Sequence, residues 1–187
     1  MEEIVVTKFD VAERQLLQSI HMFFREDDII STHTVIEAAN QVFSDIGKDY
    51  GVKSILRDND IILPAKRKFW LNELFRSRNF FKHADRDKDD KHEFKSMFND
   101  FSLFDGVSMH RSIRKVSVPE TLLFEAWFYL TYPDLLVDGS KIQLLIASML
   151  EKQDFPKVEN KEDWYGLLKS LRDGSESIKG VSLSYGL

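Results

Sequence analysis

The sequence predicts an all-α protein, an antiparallel helical bundle of about six to seven helices. Three observations predict it. Apolar residues recur at intervals of three and four along most of the chain. Helix-starting signals repeat at Thr7, Thr34, Pro64 and Pro119. No strand-like alternation exceeds the Val116–Val118 fragment, and no internal repeat is evident.

Each element follows from its own residues. Thr7 can cap a first helix, with Asp10 three residues on to complete a capping box. Val11, Leu16, Leu17, Ile20, Phe23 and Phe24 give that helix its apolar stripe, and Arg25-Glu26-Asp27-Asp28 ends it. Thr34 and Glu37 repeat the capping pattern for a second helix, whose stripe is Val35, Ala38, Ala39, Val42, Phe43 and Ile46. Gly47 and Gly51 bracket its exit. Residues 52–63 form a connector with one helical turn at Ser54–Arg57.

Pro64 suits the first position of a third helix, where its missing N–H costs nothing. This helix runs to about Ala84 and carries Phe69, Trp70, Leu71, Leu74, Phe75, Phe80 and Phe81. So many apolar positions predict a central helix contacted on more than one side. A charged loop, Asp85–Glu93, precedes a fourth helix over Phe94–Arg114 with a break near Gly106. A fifth runs from Pro119 to Tyr132, where Pro133 stops it; its Phe124, Trp127, Phe128 and Tyr129 make core or a partner surface. A sixth spans Ile142–Glu151 and a last one Lys161–Arg172. Residues 1–173 thus read as one helical domain, and 174–187 as a Ser/Gly-rich tail that frays.

Composition bounds the function. The 187 residues are 43% hydrophobic and 30% charged, ordinary for one globular domain. A chain this long buries enough surface to fold without a disulfide or metal. The absence of cysteine removes disulfides, thiolate zinc sites and a cysteine nucleophile. Met1-Glu2-Glu3 is acidic where a secretory signal starts basic, and no apolar run reaches the ~20 residues of a membrane helix. A cytoplasmic location without membrane association is the expectation.

Charge is distributed unevenly. Net charge is −5, yet residues 64–83 hold six Lys or Arg against the single acid Glu73. That window is +5 with histidine neutral, which leaves −10 for the remainder. A basic helix on an acidic body suits phosphate binding at one place, or equally the solvated face of an amphipathic helix.

Within this window lies Arg78-Asn79-Phe80-Phe81-Lys82-His83. Arginine, a polar residue, three further residues and histidine resemble the Arg-x4-His motif of the HEPN superfamily, a group of compact helical nucleotide-binding domains. The stretch Asn79–Asp87 is also similar to a segment of uncharacterised bacterial helical proteins. The HEPN resemblance implies metal-independent cleavage of RNA, often by a homodimer, in bacterial conflict or stress biology. It implies no cofactor, RNA as substrate, and an antitoxin or other protein partner. By the same resemblance His83 is the general acid or base, Arg78 the phosphate clamp, and Asn79 an orienting group. Lys82 and Arg76 add positive charge for substrate.

The chemistry suits those residue types. Attack by a ribose 2′-hydroxyl needs a proton-transfer group that titrates near neutrality, which is histidine's range. The phosphorane needs fixed positive charge, and guanidinium donates to phosphate in a planar, bidentate manner. Helical geometry attaches a condition. Five residues at ~100° each place Arg78 and His83 roughly 140° apart, whereas Arg78 and Lys82 share a face, as do Asn79 and His83. A joint site needs a helix end that unwinds near His83, or a second subunit. A purely structural role is the competing reading, with Arg78 laid on the aromatics and His83 at a helix C-terminus.

Two other constellations are weaker. Asp85–Asp90 begins like a calcium loop but has Asp90 where glycine belongs and Ser96 where glutamate belongs. His83, Asp85, Asp87, His92 and His110 lack any spacing that would fix a metal. No metal site is therefore assigned. There is no phosphate loop, dinucleotide fingerprint or nucleophile elbow. His21 and His33 read as structural.

Overall fold

The computed structural model describes residues 3–58, 64–85, 87–136, 138–140, 144, 158–177 and 183–184. Among these residues there are helices and turns and no strand. The six α-helices are α1 (Lys8–Phe24), α2 (Ile29–Gly47), α3 (Pro64–Lys82), α4 (Met97–Arg114), α5 (Pro119–Thr131) and α6 (Lys161–Asp173). Of the helix expected at Ile142–Glu151 only Leu144 is among the described residues, and it is helical; the rest lies outside them.

Local signals account for most boundaries. Thr7 and Asp10 form the expected reciprocal capping box on α1. Gly51 takes a left-handed conformation (φ 66°) to close the exit from α2. Asn160 and Asp163 cap α6 in the same reciprocal way as α1. The start of α2 differs from expectation. Asp28, assigned to the end of α1, instead caps α2 by accepting the Ser31 N–H at 2.7 Å. Thr34 lies inside the helix and turns its hydroxyl onto the Ile30 carbonyl. The competing cap was nearer the preceding helix, so α2 gains a turn.

The core lies where α1, α2, α4, α5 and α6 meet. Leu16, Ile20, Phe24, Ile36, Phe43, Leu103, Phe124 and Leu168 are among its fully enclosed side chains. Phe124, Trp127, Phe128 and Tyr129 belong to this core or pack against it, with Phe128 stacked on Phe104 at 4.1 Å. Contacts give the helix directions. Phe9 meets Phe43, so α1 and α2 are antiparallel, and Tyr132 and Phe128 meet Phe101 and Phe104, so α4 and α5 are too. The pair α2 and α4 is different: His33 meets Asn99, Asn40 meets Ser102, and Phe43 meets His110. These two helices run parallel, which requires a long crossover between them, and that crossover contains α3.

Two expectations about α3 and α4 are corrected. The third helix is not central. It packs chiefly on α2, and Ser77 is its one buried residue, while Phe69 is 68% exposed. Its aromatics serve a partial contact rather than a core. The fourth helix is unbroken at Gly106. A Cβ there would stand 2.5 Å from Asn40 Oδ1 and 3.0 Å from Ile36 Cδ1. The glycine is a close-approach residue between helices, not a break. The tail also departs from expectation at Leu183 and Ser184. Leu183 packs on the core and the Ser184 N–H donates to the Ser117 carbonyl at 3.0 Å.

Buried charges tie the helices. Glu13 of α1 accepts from His110 Nε2 at 2.7 Å and from the Arg114 guanidinium, both on α4. Glu120 of α5 is held by His21 of α1 at 3.3 Å and Arg172 of α6 at 3.1 Å. His21 and His33 are thus structural, as expected. Burial pushes the Glu13 carboxyl up, but hydrogen bonds from His110 and Arg114 outweigh it, and the net direction is down. An acid lowered in the folded state stabilises above its unfolded pKa of about 4.3 and loses that contribution as pH falls through the lower folded value. Urea unfolding of wild type and Glu13→Gln between pH 3 and 7 should therefore show a stability gap that is full above about pH 4.3 and closes below it. A gap independent of pH would exclude the ion-paired carboxylate as its source.

Candidate functional site

The turn at residues 54–58 anchors α3. Asp105 of α4 accepts the Ser54 hydroxyl at 2.7 Å and the Ile55 N–H at 2.7 Å. From that turn the Leu56 carbonyl receives Trp70 Nε1 at 2.8 Å and the Arg57 carbonyl receives Arg67 Nη2 at 2.6 Å. The helix then crosses α2 antiparallel, with Arg78 against Gln41 and Phe81 against His33.

The flank of α3 that faces α2 carries surplus positive charge. Buried Glu37 accepts from the Ser102 hydroxyl at 2.9 Å and from Arg57 Nη2 at 3.2 Å. Arg78 Nη1 donates to Gln41 Oε1 at 2.9 Å. The guanidinium groups of Arg78 and Arg57 lie 4.2 Å and 5.1 Å from the Phe75 ring centre. Arg78 and Lys82 have no carboxylate within salt-bridge distance among the described residues. Burial pushes both cations down from their ordinary values, the neighbouring cations push the same way, and Glu37 opposes. Arg57, Arg78 and Lys82 thus crowd around one carboxylate that is already satisfied.

The opposite flank borders a groove of about 420 Å³ between α3 and residues 87–92. Asn72, Arg76 and Asn79 line it from the helix, and Asp87, Asp90 and His92 from the segment. A hydrogen bond of 2.8 Å between the Ser77 hydroxyl and His92 Nε2 pins the segment to α3. The His92 ring rests 5.1 Å from that of Phe80.

His83 stands just past the end of α3. Its backbone N–H still donates to the Asn79 carbonyl at 3.1 Å, so the last turn stays wound. Its side chain is exposed and has no partner among the described residues.

The expected site is therefore divided. Arg78 and Lys82 lie on the α2 flank. Asn79 and Arg76 lie on the groove flank, with Arg76 3.9 Å from Glu73. Among the described residues no hydrogen bond joins Arg78 to His83; α3 ends at Lys82 and His83 follows it outside the helix. Arg78 lies on the Phe75 ring as the structural reading expected.

The structure adds residues that the sequence did not single out. Gln41, Glu37 and Arg57 surround Arg78 from α2 and the 54–58 turn, far away in the chain. His92, weighed only as a metal ligand, shapes the groove, whereas His110 is buried with Glu13 on α4. Among the described residues no group of three or more His, Cys, Asp or Glu could hold a metal ion. Among the same residues no helix is long and apolar enough to cross a membrane.

No family model, curated protein or solved structure matches this chain.

Proposed function

We propose that this protein is a HEPN-like, metal-independent endoribonuclease acting in the cytoplasm, with its site built around the C-terminal end of α3. The observation that carries the reading is the positive charge of Arg78 and Lys82, without a carboxylate in salt-bridge distance among the described residues, on the turn that leads to the exposed His83. Uncompensated cations attract phosphate, and guanidinium and ammonium groups in a partly buried setting bind it more strongly than in water. Histidine next to that phosphate can take the proton of a 2′-hydroxyl. The 2′-oxygen then attacks phosphorus, the bond to the 5′-oxygen breaks, and the departing oxygen receives the proton that histidine accepted, leaving a cyclic phosphate.

Because α3 holds Arg78 and His83 on different faces, the reading includes a homodimer in which Arg78 of one subunit serves the His83 of the other. A protein partner such as an antitoxin would act by covering this end of α3.

One observation favours a second reading, a non-catalytic helical module that dimerises or binds a partner. Arg78 is already engaged by Gln41 and Phe75, which suffices to explain its presence.

Purified protein in EDTA, incubated with single-stranded RNA of mixed sequence, should release fragments ending in cyclic phosphate. His83→Ala should reduce the rate by 10²-fold or more, the scale of a lost proton-transfer group, with its thermal unfolding unchanged. Full activity in His83→Ala, or inactive wild type across varied RNAs, would favour the second reading.

A further inference from the structure

The two flanks of α3 carry opposite chemistry. Toward α2, cations are in surplus. Toward residues 87–92, the groove holds Glu73, Asp87 and Asp90 against Arg76 and Lys91, so acid exceeds base by one. A phosphate entering this groove would meet like charge. A flat group rich in N–H donors would meet carboxylate and amide acceptors, since Asn72 and Asn79 can both donate and accept. The Phe80 and His92 rings, 5.1 Å apart, line the same groove.

Within single-stranded RNA, the bases have this character: a hydrogen-bonding edge and a π-face, read by polar side chains and aromatic rings. Guanine differs from the other three in offering neighbouring N1–H and N2–H donors, which one carboxylate can accept together through its two oxygens. The groove's volume also falls within the usual range for small-molecule sites.

We infer that the groove between α3 and residues 87–92 is a nucleobase subsite selective for guanine, with Asp87 or Asp90 as the acceptor. The inference rests on the RNA reading and adds a substrate preference to it. Ser77 supports the subsite by holding His92, and hence the segment, against α3.

Titration of the full chain with guanosine, adenosine, cytidine and uridine 5′-monophosphates tests this. GMP should bind at least about tenfold more tightly than the others, equivalent to about 1.4 kcal/mol. The Asp87→Asn/Asp90→Asn variant, altered only in the loop, should bind all four alike. Equal affinity for the four nucleotides in wild type would overturn the inference, as would guanine preference surviving in the double variant. RNA cleavage without base preference would also remove the guanine subsite while leaving the endoribonuclease intact. GMP-selective binding without RNA cleavage would keep the subsite and remove the catalytic reading.

Discussion

Glu37→Ala is expected to destabilise the fold by about 3–5 kcal/mol, the cost of leaving a buried charge without its partner. Glu37 and Arg57 expose only 4% and 7% of their side chains. Without the carboxylate, Arg57 loses its counter-ion and the Ser102 hydroxyl loses its acceptor. Arg78 and Lys82 then add repulsion that Glu37 presently offsets. For a chain of this size the loss should lower Tm by roughly 6–20 °C. The double variant Glu37→Ala/Arg57→Met should recover a large part of it, because removing both charges ends the desolvation penalty. Urea unfolding of the two single variants and the double variant measures the coupling. Additive losses would mean that the pair does not interact.

The second large effect is expected at Gly106. Gly106→Val should cost about 3 kcal/mol, the upper part of the usual range for overpacking, even though valine is the better helix former. The Cβ would press on Asn40 Oδ1, Ile36 Cδ1 and Leu16 Cδ1. Asn40 cannot swing aside freely, since its amide nitrogen donates to the Ser102 carbonyl at 2.8 Å inside the core. The strain falls on the helices that also hold Glu37, so the α3 platform should loosen with it. Thermal unfolding of Gly106→Ala and Gly106→Val should show a graded loss. A stabilised alanine variant would show that α1 and α2 yield to the added carbon.

How much of this was legible in the chain varies by element. The cap at Thr7, the proline starts at Pro64 and Pro119 and the stop at Pro133 are local chemistry, acting over three or four residues. They appear in the sequence as they act in the structure. The α2 boundary shows the limit: Asp28 and Thr34 are both competent caps, and packing of His33, Ile36 and Glu37 against α4 favours the longer helix. The polar stripe His33-Glu37-Asn40 was hidden because its partners Asn99, Arg57 and Ser102 lie 20 to 66 residues away.

By itself the sequence determined an all-helical chain, its main helix boundaries, and the separation of Arg78 from His83 around α3. Helical periodicity and capping are properties of near neighbours, so no fold was needed to read them. Only the tertiary structure decided that α3 is peripheral, that α2 and α4 run parallel, and that Gly106 marks close contact. It alone decided that Arg78 and Lys82 crowd around Glu37 while Asn79 borders the groove with His92. Those outcomes depend on which surfaces meet across long stretches of chain, and on the cost of burying charge there, which no local pattern records.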